Sequence, residues 1–249
     1  MRLLILGGTS EASRLAAALA DRADVRATLS LAGRTATPAD SPLPRRIGGF
    51  GGVRGLADYL EAEGIERVVD ATHPFASRIS ISAVAACSRQ GVPLLAYTRP
   101  PWRPESGDRW TDVPDIAGAA VHLVSRPSGH VFLTTGRLDL AAFGAAPHHR
   151  YLVRTIDPPL PDDRLPNMEV VLGRGPFAVA DETTLMTRHA IDLLVTKNSG
   201  GSASRAKLLA ARHLGLPVLM VARPPVPARA STGEIAEVLA WIEAHAPPR

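Results

Sequence analysis

The chain has 249 residues, enough for one large domain or two small ones, and 45% of them are apolar, so a core can form without metals or disulfides. A single cysteine, Cys87, excludes an internal disulfide, and the absence of any run of about 18 apolar residues argues against a membrane span. The net charge of +4 is carried mostly by arginine, since Lys197 and Lys207 are the only lysines. These arginines are scattered and lack aromatic platforms, which argues against nucleic acid; they suit a small polyanionic ligand, although a genome rich in G and C, which favours arginine over lysine, explains much of the bias on its own.

In chain order, Arg2–Leu6 reads as a short buried strand. Its apolar run is too short for a signal-peptide core, and with one cysteine a reducing cytoplasm is the expected compartment. The turn Gly7-Gly8-Thr9-Ser10-Glu11 then leads into a helix over residues 11–20. A second strand is expected over 25–30, and a helix over 52–64 with Leu56, Tyr59 and Leu60 at helical spacing. Arg67–Asp70 is a third strand, 75–90 a helix stopped by Gly91, and 93–97 a fourth strand. Cys87 falls in that helix as a small buried apolar residue; no activating base is visible beside it.

Residues 99–108 are rich in proline and charge and read as a linker between a domain of residues 1–98 and one of residues 109–249. The second half gives a strand at 130–134, the turn Thr135-Gly136-Arg137 and a helix at 138–143. Strands follow at 151–156, 193–196 and 218–221, with helices at 178–189, 202–213 and 232–244. Alternating strands and helices predict parallel sheets, hence two Rossmann-like α/β domains with a cleft between them, and chemistry at the carboxyl ends of strands.

Four stretches sit at such ends. After the first strand, glycines let the backbone approach a pyrophosphate and the helix start attracts its charge. Thr9 or Ser10 caps the helix or bonds a phosphate oxygen, and Glu11 suits the helix N-terminus or a ribose hydroxyl. Counted from Gly7, however, Thr9 replaces the second glycine of G-x-G-x-x-G/A and Ala12 takes the third place, so a plain strand-to-helix turn remains open. After the second strand, Arg34, with Thr35 beside it, stands where an acid would select a free ribose 2′-hydroxyl; arginine there favours NADPH, unless it is only a solvated loop residue.

After the third strand, Asp70 and Thr72 could bond a cofactor ribose or act near the nicotinamide. Pro74 is expected to open the next helix, and His73 either carries a proton near neutral pH or is structural. After the strand at 193–196, Lys197 adds a point charge to the small-residue turn Asn198-Ser199-Gly200-Gly201, which reads as an anion-accepting or helix-capping turn.

Other chemistries fail on spacing. Tyr59, Tyr97 and Tyr151 are followed at the Tyr-x-x-x-Lys position by Glu63, Pro101 and Thr155. There is no H-E-x-x-H, C-x-x-C, G-x-S-x-G or Walker loop, so no metal site is expected.

Taken together, Ile5-Leu-Gly-Gly-Thr-Ser-Glu-Ala12, Ala32-Gly-Arg34, Gly48-Gly-Phe-Gly-Gly52, Asp70-Ala-Thr-His-Pro-Phe-Ala76, Thr135-Gly-Arg137, Thr196-Lys-Asn-Ser-Gly-Gly201 and the closing Pro217-Val-Leu-Met-Val-Ala-Arg-Pro224 resemble the precorrin-6A reductase family over nearly the whole chain. The resemblance implies NADPH-dependent reduction of one macrocycle double bond, giving precorrin-6B in cobalamin biosynthesis, with the active site between two α/β domains. It implies a polycarboxylate tetrapyrrole as substrate, for whose acidic arms Thr135, Gly136, Arg137, Asn198, Ser199, Gly200 and Gly201 are candidates, and transient contact with neighbouring pathway enzymes. The proton for the reduced carbon comes from His73, or Lys197 stabilises developing charge, or the macrocycle's own nitrogens supply it. A redox-sensing module on the same fold and a sugar-nucleotide transferase are the competing readings; turnover of a tetrapyrrole and protection by UDP-sugars distinguish them.

Overall fold

The computed structural model describes residues 1–33 and 40–244, so the candidates Arg34 and Thr35 lie outside the described residues. Along the chain the elements are β1 (Arg2–Leu6), α1 (Ser10–Ala18), β2 (Arg26–Leu31), β3 (Arg45–Ile47), α2 (Val53–Ala62), β4 (Arg67–Asp70), α3 (Ser77–Gln90), β5 (Leu94–Tyr97), β6 (Arg109–Val113) and α4 (Ile116–Val124). They continue with β7 (His130–Leu133), a 3-10 segment (Arg137–Ala145), β8 (Arg150–Thr155), a 3-10 turn (Pro161–Asp163), β9 (Met168–Leu172), α5 (Val179–Arg188), β10 (Leu193–Lys197), α6 (Ala206–His213), β11 (Pro217–Val221), β12 (Ser231–Thr232) and α7 (Ile235–Glu243).

Two compact units result. The first is Met1–Pro100 together with the chain from Pro225 onward, and the second is Pro101–Pro224. Each carries a six-stranded sheet, in the orders β12-β5-β4-β1-β2-β3 and β6-β11-β10-β7-β8-β9. Every strand pair is parallel. Both faces of such a sheet must be covered, which is why β1 and β4 read as continuous apolar runs. Leu3, Ile5 and Val69 face α1 and α7, while Leu4, Leu6 and Val68 face α2 and α3. In the second unit Phe132, Leu152, Leu194 and Val218 pack with Met186 of α5 and Leu208 and Ala211 of α6.

The structure corrects the domain boundaries. The segment after residue 224 does not belong with 109–223: β12 joins β5, pairing Ser231 with Ala96 and Thr232 with Tyr97. Helix α7 then buries Val238 and Ile242 in the first core. Nor are residues 101–108 a free linker. Arg212 grips Asp108 with two N–H groups at 2.9 and 3.0 Å and reaches Glu105 at 3.0 Å, and β6 becomes the edge strand beside β11. The chain leaves the first sheet after β5 through Arg99-Pro100-Pro101 to supply β6, an edge strand of the second, and leaves the second sheet after β11 through the same tripeptide, Arg223-Pro224-Pro225, to supply β12, an edge strand of the first.

Two smaller differences have local causes. The segment expected as a helix at 138–143 is 3-10: its fully buried Leu140 and Phe143, and Ala146 just beyond its end, recur every third position, matching three residues per turn. Pro74 does not open α3, which begins at Ser77; it lies in the preceding turn.

Candidate active site

Ligands of doubly wound sheets bind where the strand order reverses. In the first unit that point lies between β1 and β4, and in the second between β7 and β10.

At the β1–β4 point the turn is built on two glycines, the first crowded and the second in a positive-φ conformation. A Cβ on Gly7 would stand 2.5 Å from Leu29 Cδ1 and 3.1 Å from Ala12 Cβ, and Gly8 adopts φ +110°. Thr9 caps α1 by accepting the Ala12 N–H at 3.2 Å, and its hydroxyl donates to the Ala71 carbonyl at 2.7 Å. One side chain therefore joins the loops on both sides of the reversal. Glu11 is buried, and its carboxylate takes Arg99 at 3.0 Å, Arg14 at 3.1 Å and the Ser10 hydroxyl at 3.1 Å. Burial alone would raise its pKa, but the Arg99 charge, hydrogen bonds from its own backbone N–H and Ser10, and Arg14 hold it below the ordinary glutamate range. Glu11 is therefore engaged in ion pairs at the base of α1.

Asp70 is 2% exposed and its carboxylate is fully occupied. One oxygen accepts the Thr72 backbone N–H at 3.1 Å and the Thr72 hydroxyl at 2.6 Å. The other accepts the Ser80 hydroxyl of α3 at 2.7 Å and pairs with Arg229 at 3.0 Å. Asp70 thus shapes the loop that carries Thr72 and His73. His73 Nδ1 accepts the Phe75 N–H at 3.2 Å, which places the proton of the neutral ring on Nε2. Neither Ser80 nor Arg229 was a candidate from sequence. A buried acid at a strand end calls for a counter-charge, but nothing local points to an arginine on the returning segment. Cys87 packs among Leu4, Ala83 and Ala86, and burial, with the nearby Asp70 charge, pushes its thiol up to about 12, which disfavours the thiolate a nucleophile needs.

At the β7–β10 point the Thr135 hydroxyl is buried with no partner among the described residues, and Gly136 follows at φ +93°. Arg137 opens the 3-10 segment, whose Asp139 pairs with Lys197 at 2.5 Å. Asn198 faces the backbone of Trp102, accepting its N–H at 2.8 Å and donating to its carbonyl at 3.0 Å. The Trp102 indole donates to the Gly201 carbonyl at 2.8 Å, and Arg223 donates to the carbonyls of Asn198 and Ser199 at 2.9 and 3.1 Å. Gly200 and Gly201 both have positive φ. The turn is thereby built rigidly, with Asn198 serving its geometry, and α6 starts at Ala206, later than the sequence pattern suggests. Among the described residues no group of three or more His, Cys, Asp or Glu is placed to hold a metal ion, and no helix is long and apolar enough to cross a membrane.

The model of the family described as Precorrin-6x reductase CbiJ/CobK matches residues 2–243. The chain belongs to the precorrin-6x reductase family. It is 52% identical over 249 residues to the precorrin-6A reductase of Rhodobacter capsulatus, covering 100% of this chain and 98% of that protein. To the precorrin-6A reductase of Rhodococcus erythropolis it is 49% identical over 243 residues, 97% of each chain. A solved structure titled CobK precorrin-6A reductase superposes with TM-score 0.92 at 51% identity, covering 100% of this chain and 99% of that one. As a precorrin-6x reductase the chain needs a hydride donor, and the edge at β1 fits a dinucleotide: Gly8 is exposed and a Cβ there would meet nothing within 4 Å among the described residues. That leaves bare backbone at the start of α1, of the kind that can accept a pyrophosphate.

Proposed function

We propose that this chain reduces one double bond of the precorrin-6A macrocycle to precorrin-6B, with NADPH held by the first unit and the acidic arms of the substrate held by the second. The observation that carries the reading is the Thr9–Ala71 bond, which joins the glycine turn to the Asp70–Pro74 loop at the reversal point of a doubly wound sheet. Family membership supplies the reaction class. NADPH supplies a hydride when bound, and a proton completes the reduction.

The protein's part is to bind, orient and deliver. The backbone at Gly7, Gly8 and Thr9, with the Ser10 hydroxyl, receives the pyrophosphate at the start of α1. Arg34 and Thr35 take the 2′-phosphate. The loop Thr72-His73-Pro74 borders the reduced end of the cofactor, in a shape fixed by Asp70. His73 Nε2 is the atom of that loop from which a proton reaches the substrate. Glu11 and Asp70 act through Arg99 and Arg229, and not on the cofactor itself.

In the second unit, Arg137 and the Thr135 hydroxyl receive substrate carboxylates, with the backbone of Gly136, Ser199, Gly200 and Gly201 forming an anion-accepting turn. Lys197, steadied by Asp139, places a positive charge beside that turn, and Asn198 keeps it in shape. Positioning of the macrocycle against the cofactor is the larger contribution to rate.

The deciding experiment adds precorrin-6A to protein and NADPH and follows absorbance of the reduced nicotinamide together with product mass. Oxidation of NADPH with a gain of two hydrogens in the macrocycle is expected. Nucleotide binding without turnover of the tetrapyrrole would instead favour a sensor.

A further inference from the structure

The carboxyl edge of the first sheet holds an arginine that the assigned machinery does not use. Register places Asp70, Leu6, Ser30 and Arg46 in one row across β4, β1, β2 and β3. Arg46 therefore stands beside the last turn of β2, where a dinucleotide's adenosine ribose is read in this class of sheet. Its guanidinium lies 3.8 Å from the Phe50 ring centroid and 5.2 Å from that of Tyr59. It donates to the Gly48 carbonyl at 2.6 Å, the Gly49 carbonyl at 2.8 Å and the Ser30 hydroxyl at 3.4 Å. Those contacts engage three of its five N–H groups, and none is to a carboxylate. The group is thus preorganised by rings and carbonyls, half-buried, and without an anion among the described residues.

Gly49 adds an independent sign. Gly48, Gly51 and Gly52 have φ of +124°, +77° and +94°, which accounts for glycine at each. Gly49 lies outside that region of φ, and a Cβ on it would meet nothing within 4 Å. Neither conformation nor internal packing requires glycine there, whereas a ligand lying against the loop would.

We infer that Arg46 contacts the adenosine 2′-phosphate and is a determinant of NADPH over NADH. This rests on the reading of the first unit as the NADPH site. Its planar fork suits a phosphate dianion, and the carbonyls that hold it leave the remaining N–H groups for that anion.

Calorimetric titration of the full chain with NADP⁺, NAD⁺, 2′,5′-ADP and 5′-AMP tests it. Arg46→Gln should weaken NADP⁺ and 2′,5′-ADP by at least about tenfold, the scale of one charge-assisted contact, and leave NAD⁺ and 5′-AMP within about twofold. Arg46→Lys should recover part of the loss. Equal weakening of all four ligands would make Arg46 a loop support and overturn the assignment. So would unchanged nucleotide affinities with a raised KM for the tetrapyrrole, which would move the contact to the substrate. A wild-type chain that binds none of the four would overturn the NADPH reading itself.

Discussion

Thr9 and Ala71 are joined by a 2.7 Å hydrogen bond that spans the point where the first sheet reverses its strand order. The same hydroxyl oxygen caps α1, so one side chain fixes both the start of that helix and the loop that carries His73. Thr9→Val keeps the shape and removes both interactions. The expected cost is about 2 kcal/mol, roughly one for the cap and one for the loop bond. Urea unfolding should register that loss, and NADPH affinity should fall several-fold. Thr9→Ser should restore most of both.

Much of this arrangement is legible in the sequence because β1, β2, β4 and β5 are short, largely apolar runs. The edges are not. β3, β6 and β12 are outer strands with polar or exposed residues, and β12 has only two residues. Their identity depends on pairing with partners far along the chain, to which local pattern is blind. For the same reason the glycine turns were found, while Arg229, Ser80 and Asp139, which hold candidate residues in place, were not.

The Asp70–Arg229 pair ties the returning segment to the candidate cofactor loop. Arg229→Met leaves a buried carboxylate with only hydroxyl and amide donors, and loss of one partner from such a pair costs about 3 kcal/mol. A lower midpoint in denaturant is expected, together with weaker NADPH binding. A stability change with unaltered nucleotide affinity would detach Arg229 from the cofactor loop.

Glu11 makes stability depend on acid in a defined direction. Its pKa is lower folded than unfolded, so its contribution is complete above the ordinary glutamate value of about 4.3 and fades as pH falls below it towards the folded value. Glu11→Gln should therefore be less stable than the parent near neutrality, and the gap should narrow on acidification through that window. A gap independent of pH would show that the ion pairs with Arg99 and Arg14 contribute nothing.

In the second unit, Lys197→Met should lower kcat/KM for the tetrapyrrole by more than tenfold, as expected for removal of a charge-assisted contact, while leaving NADPH affinity unchanged. Asp139→Asn should give a smaller effect of the same kind, because Asp139 pairs with Lys197. Steady-state kinetics with each substrate varied in turn separates these outcomes from a general loss of fold.

His73 decides where the proton comes from. Its Nδ1 accepts the Phe75 N–H, so in the neutral ring the proton sits on Nε2. If the protein supplies that proton, His73→Gln should lower kcat by about 10²- to 10⁴-fold, the usual range for a positioned acid, with NADPH affinity within twofold of the parent. The loop should stay in place, because Asp70, Thr72 and Ser80 are untouched. Single-turnover oxidation of NADPH measures the step free of product release. An unchanged single-turnover rate in this variant would assign the proton to the macrocycle's own nitrogens and leave the protein a purely positioning role.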